Sequence, residues 1–200
     1  MSDAPEAVPA LHAHAMDNLR FIRQTMERAG PFTAVPGWGG VLMGVTALTA
    51  STVAGPNTLS GGRRWLAVWL GAAAVAVIVG LVAMARKARA SGAPLFAAPA
   101  QRFALAFLPP VAAGAALTAV FVAGGFTPRL PGCWLLLYGT AVAAGGAMSV
   151  RVVPIMGLIF MALGVAAFVA PSAWGNVFMA AGFGGLQIGF GLIIARKYGG

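Results

Sequence analysis

Between Gly132 and Ala170 the chain has 39 residues and a single charge, Arg151, near the centre of the stretch. One helix of that length would measure about 58 Å, nearly twice the roughly 30 Å hydrocarbon thickness of a bilayer. The stretch must therefore fold back on itself, and Arg151 with Pro154 marks the turn. Two antiparallel membrane helices with a very short loop are expected. The remaining apolar runs take their sides of the membrane from this hairpin.

Charged residues make up only 8% of the chain, against about 25% in a soluble domain. So few charges cannot cover a surface that faces water, and lipid is the natural solvent. The expected fold is an all-α integral membrane protein. Its six spans cover about 38–55, 65–85, 103–123, 133–150, 154–170 and 177–195, with a tail at 196–200. Trp38, Trp65, Trp134 and Trp174 fall at or near the ends of these spans, where indole rings prefer to sit. Pro109-Pro110 lies inside the third span and removes two backbone donors, so a kink is expected there.

Loop charges orient the spans. Arg20, Arg23, Arg28, Arg86, Lys87, Arg89, Arg102, Arg151, Arg196 and Lys197 share one side, and Arg63, Arg64 and Arg129 the other. This bias places both termini in the cytoplasm, which an even number of spans requires. The net charge of +9 is thereby attributed to anchoring on an anionic leaflet, and no nucleic-acid partner is expected. No secretory signal peptide is visible, so the first span is expected to act as an uncleaved anchor.

Residues 1–10 are rich in Ala, Pro and acid, and disorder is expected there. Residues 11–30 form an amphipathic helix ended by Gly30-Pro31. Leu11, Leu19, Ile22 and Met26 lie on its apolar stripe, and Arg23 and Glu27 stand at pairing distance. The helix packs on the cytoplasmic ends of the bundle, lies in the interface, or docks a partner protein.

The acids settle much of the chemistry. Asp3, Glu6, Asp17 and Glu27 are the only carboxylates, and His12 and His14 the only histidines; all precede the first span. The spans therefore contain no general acid–base pair, Ser-His-Asp triad, carboxylate metal site, bis-His haem site or acidic proton relay. Neither catalysis, a cofactor nor a metal is expected. His12 and His14 point about 200° apart on a helix and cannot chelate one ion together. Cys133 is the only cysteine, which rules out an internal disulfide.

Few polar groups remain within the spans. Gln187 is the only amide near the midplane, and it either bonds across to another helix or contacts a ligand. Thr46, Tyr138 and Arg151 are further candidate ligand contacts, Arg151 as an anion contact at the cytoplasmic mouth or a snorkelling anchor. The other hydroxyls can satisfy themselves on their own helix carbonyls. Gly40 with Gly44, and Ala181 with Gly185 and Gly189, form small-residue ridges of the kind that mark close helix contacts, within the monomer or in a homo-oligomer.

The two halves echo each other weakly. Pro36-Gly37 precedes the first span and Pro131-Gly132 the fourth, each followed by glycine at the same offset, Gly44 and Gly139. Three spans per half would make the halves inverted repeats.

Three segments carry a resemblance: Asp17–Ala29 (DNLRFIRQTMERA), Leu130–Gly139 (LPGCWLLLYG), and Gly182–Gly191 (GFGGLQIGFG) with the ending Ala195-Arg-Lys-Tyr198. The chain resembles a group of uncharacterised small bacterial integral membrane proteins. The resemblance implies a bacterial inner (plasma) membrane location and supplies no activity. Two function classes then stand open. The favoured one is a non-enzymatic interaction or regulatory component that docks a cytoplasmic or membrane protein through Leu11, Leu19, Ile22 and Met26. The alternative is a small permease for a neutral or apolar solute, with a cavity near the sixth span.

Overall fold

The computed structural model describes residues 14–22, 35–55, 62–90 and 98–198. Expected disorder at 1–10, the positions Leu11, His12 and Met26, the Arg23–Glu27 pairing and the Gly30-Pro31 stop lie outside them. The described chain is all-helical. In lipid no water is available to take up backbone groups, so a chain of this composition closes its hydrogen bonds within helices.

The helices are α1 (14–22), α2 (Gly37–Ala54), α3 (Arg63–Ala90), α4 (Ala98–Ala123), α5 (Leu130–Gly146) and α6 (Val152–Val169). A last rod follows, made of a 3-10 turn (Ser172–Trp174), α7 (Gly175–Met179), a π-helical segment (Ala180–Leu186) and α8 (Gln187–Tyr198). Five helices are long and apolar enough to cross a membrane: α2, α3, α4, α6 and the rod Ser172–Tyr198. The first helix of the predicted hairpin, α5, has 17 residues. Residues 147–151 form the hairpin turn, and Pro154 sits in the first turn of α6 rather than in the loop. The helix α4 runs unbroken through Pro109-Pro110.

Two helix pairs pack backbone against backbone. A Cβ on Gly44 of α2 would lie 2.9 Å from the Gly184 carbonyl oxygen, and one on Gly191 of α8 would lie 2.8 Å from the Val41 nitrogen. On the other side, a Cβ on Gly139 of α5 would lie 2.6 Å from the Met161 nitrogen of α6. Glycine is required at these places because any side chain would hold the backbones apart. The remaining long helices stand outside these pairs, α3 along α2 and α4 along α5.

One end of the bundle, the terminal end, gathers the start of α2, the end of α3 and the end of α8. There Lys87 Nζ donates to the Val35 carbonyl (3.1 Å) and the Tyr198 carbonyl (3.2 Å). At the far end, Arg64 donates to Val53 O (3.1 Å) and Arg129 to Phe168 O (2.8 Å). Both arginines thereby satisfy carbonyls in the last turns of α2 and α6, which have no partner inside their own helices.

Packing adds detail to two sequence expectations. Trp65 and Trp134, near the starts of α3 and α5, stack on each other with ring centroids 5.4 Å apart, while Trp38 and Trp174 are exposed. The ridge of Ala181, Gly185 and Gly189 faces outward, with nothing within 4 Å of a Cβ built on either glycine. The opposite face of the same rod, with Gly184 and Gly191, makes the contact with α2.

Candidate functional site

Gln187 is the first residue after the π-helical segment. A π turn spends one extra residue, and here the Gln187 N–H reaches back to the Gly182 carbonyl. The side chain that follows is carried into the bundle, where Gln187 is only 7% exposed. Its amide oxygen accepts a long hydrogen bond, 3.5 Å, from the Tyr138 hydroxyl of α5. Among the described residues, no hydrogen bond takes up its amide nitrogen. An amide nitrogen carries two donors, and leaving them unused in an apolar interior is costly. Of the four candidate ligand contacts, the fold thus brings Tyr138 and Gln187 together.

Aromatic rings surround the pair. Tyr138 meets Phe107 of α4 (6.1 Å), Phe160 of α6 (5.0 Å) and Phe183 of the π segment (5.0 Å). Phe107 stands two residues before Pro109-Pro110. Tyr138 therefore touches both helices whose regular hydrogen bonding is interrupted midway, one by prolines and one by the π segment. The series continues through Phe183 to Trp69 (6.4 Å) and on to Trp65.

Asn176, at the far end, is a second polar centre. Its side-chain oxygen accepts from Trp65 Nε1 (3.2 Å) and Trp69 Nε1 (3.1 Å), and its Nδ2 donates to Ser51 O (2.7 Å). One residue ties α2, α3 and α7 together, and its hydrogen bonds stay within the protein. Sequence reasoning missed it. The available signal was an asparagine directly before a long apolar run, a residue type found only three times in the chain.

The other candidates lie elsewhere. Thr46 donates its hydroxyl to Leu42 O (2.9 Å) of its own helix. Thr49, Ser51, Thr52, Thr118 and Thr140 do the same along their helices. Thr118 also accepts from Trp134 Nε1 at 2.7 Å. Arg151 is exposed in the turn before α6. Along α1 every described residue is exposed, Leu19 at 61% and Ile22 at 52%, and Asp17 pairs with Arg20 at 3.6 Å.

No protein-family model, curated protein or solved structure matches this chain. Its chemistry has to be taken from the residues themselves.

Proposed function

We propose that the chain is a non-enzymatic membrane protein that binds and passes a small neutral solute at Tyr138 and Gln187. The observation that carries this reading is the buried Gln187 amide, whose nitrogen has no partner among the described residues, beside Tyr138 where the Pro-containing α4 and the π segment come together. Apolar segments with Pro or Gly irregularities at corresponding places in two halves are a pointer to a transporter's binding site. A neutral solute fits because residues 29–200 hold no acid and the basic residues sit near helix ends. A carbonyl oxygen accepting from Gln187 Nε2, on an aromatic or aliphatic body among Phe107, Phe160 and Phe183, matches the chemistry present.

Benzophenone is a suitable probe, being a neutral aromatic ketone that also photolabels its surroundings. Labelling is expected on peptides containing Tyr138 and Phe183. Gln187→Leu is expected to reduce it about tenfold, the loss of one buried hydrogen bond, and to lower stability by no more than about 1 kcal/mol, because the Tyr138 bond it removes is long at 3.5 Å. The charged 4-carboxybenzophenone should not compete. Labelling indifferent to Gln187→Leu would remove the reading.

In the proposed topology α5 is a sixth span, since 17 residues is at the short limit for crossing and α6 accompanies it closely. The inner membrane of a bacterium and cytoplasmic termini belong to the same proposal. Supporting the orientation, the far end holds only Arg63, Arg64 and Arg129 of the thirteen basic residues. In a Cys133-free background, cysteines at Ser2 and Gly200 should be shielded from an impermeant outside label and one at Asn57 should react. Outside labelling of either terminus would overturn the orientation.

A docking role for residues 11–30 keeps one observation in its favour, the exposure of Leu19 and Ile22. Leu19→Asp with Ile22→Asp should leave benzophenone labelling unchanged under the solute reading.

A further inference from the structure

We infer that the two three-span halves are inverted copies that have exchanged their third helices, and that the seam between the resulting bodies is the moving part of the solute path. This rests on the solute reading of Tyr138 and Gln187.

The packing partners follow a two-fold rule. The first helix of the first half, α2, packs on its own second helix, α3, and on α8 from the other half. The first helix of the second half, α5, packs on its own second helix, α6, and on α4 from the other half. An odd number of spans per half turns one set upside down relative to the other. The first and third helices match in length as well, whereas the second helices, α3 of 28 residues and α6 of 18, do not. Both first helices are short, 18 and 17 residues, and begin at Pro36-Gly37 and Pro131-Gly132. Both third helices are long, 26 and 27 residues, and both depart from regular backbone hydrogen bonding near their middle, at Pro109-Pro110, which lack donors, and at the π segment Ala180–Leu186. The glycines themselves are placed differently. Gly44 meets a third helix and Gly139 a second helix, so the two-fold lies in the connectivity rather than in individual contacts.

The body of α2, α3 and the last rod meets the body of α4, α5 and α6 through side chains. A Cβ on Gly175 would touch the Pro131 ring at 2.8 Å, and one on Gly182 would meet the side chains of Leu135 and Phe160. Trp65 on Trp134 and Phe183 on Phe160 (5.3 Å) complete the seam. Within each body the α2–α8 and α5–α6 contacts are backbone on backbone. Backbone packing of that kind holds a pair rigid, whereas rings and methyl groups repack by rotamer change. The seam is therefore the place where the bodies rock, opening Tyr138–Gln187 first to one end and then to the other.

The test uses nitroxides on p-acetylphenylalanine and double electron–electron resonance in proteoliposomes, with Cys133→Ala. One pair at Arg63 and Ala123 spans the seam at the far end, and another at Met148 and Arg196 spans it at the terminal end. A third pair at Arg63 and Thr52 lies within one body. Both seam pairs should show two populations about 5 Å or more apart, the rise of one helical turn, and the within-body pair one. Benzophenone should shift the two ends in opposite senses. Oxidising a Pro131→Cys/Gly175→Cys pair should leave one population at the far end, with the reduced form as control. Single, ligand-independent populations at both ends would overturn the moving seam. If labelling still depended on Gln187, the solute site would stand without it. Two populations with labelling indifferent to Gln187 would keep the seam and remove the site.

Discussion

Asn176→Leu is expected to lower stability by about 2–6 kcal/mol, because it strips the shared acceptor from two buried indoles. Trp65 and Trp69 are 1% and 4% exposed, and both Nε1–H groups end on the same Asn176 oxygen. A buried donor left without its acceptor costs about 1–3 kcal/mol, and two are orphaned at once. The Ser51 carbonyl, near the end of α2, loses its donor as well. In detergent, tryptophan fluorescence should report a melting point lower by roughly 10 °C. The same substitution in a Trp65→Phe/Trp69→Phe background should cost much less, because no indole donor is then abandoned. A melting point within a degree of the parent in the wild-type background would refute the role of Asn176 as the tie between α2, α3 and α7.

Gly157→Ala should be nearly as damaging for a different reason. The added methyl would fall on the Ala143 backbone nitrogen and lie 2.7 Å from the Gly139 carbonyl oxygen and 2.8 Å from the Ala143 Cα. Backbone atoms cannot move aside as a flexible side chain can, so α6 must shift away from α5 along the whole hairpin. Overpacking typically costs about 1–3 kcal/mol, and a backbone obstruction belongs at the upper end of that range. Gly71→Ala is the matched control, since nothing lies within 4 Å of a Cβ there. That change should be neutral or stabilise α3 by about 0.5–1 kcal/mol, the helix preference of alanine over glycine. Equal effects of the two substitutions, measured by thermal unfolding, would show that α5 and α6 do not need this close approach.

Several features were legible before folding because they are local. The hairpin between Gly132 and Ala170 follows from counting apolar residues against bilayer thickness. Thr46, Thr49 and Thr140 bond to carbonyls four residues back, which depends only on helix geometry. Gln187 and Tyr138 stood out because polar groups are rare in this composition. Their pairing was not legible, since a bond between residues 49 positions apart depends on how α5 meets the last rod.

The sequence by itself determined that this is an all-helical chain, that several of its helices suit a membrane, and that its acids and histidines all precede the first long apolar helix. Those properties are sums over local residues and survive any arrangement of the helices. Only the tertiary structure decided which faces meet. The last rod carries small residues on two faces, and Gly184 and Gly191 are the ones that took α2, leaving Gly185 and Gly189 outside. Composition cannot choose between two faces of equal smoothness; the shapes offered by Val41, Gly44 and Leu48 across the interface do. The same holds for Trp65, which turned inward because Asn176 and Trp134 gave its N–H an acceptor and its ring a partner from distant parts of the chain.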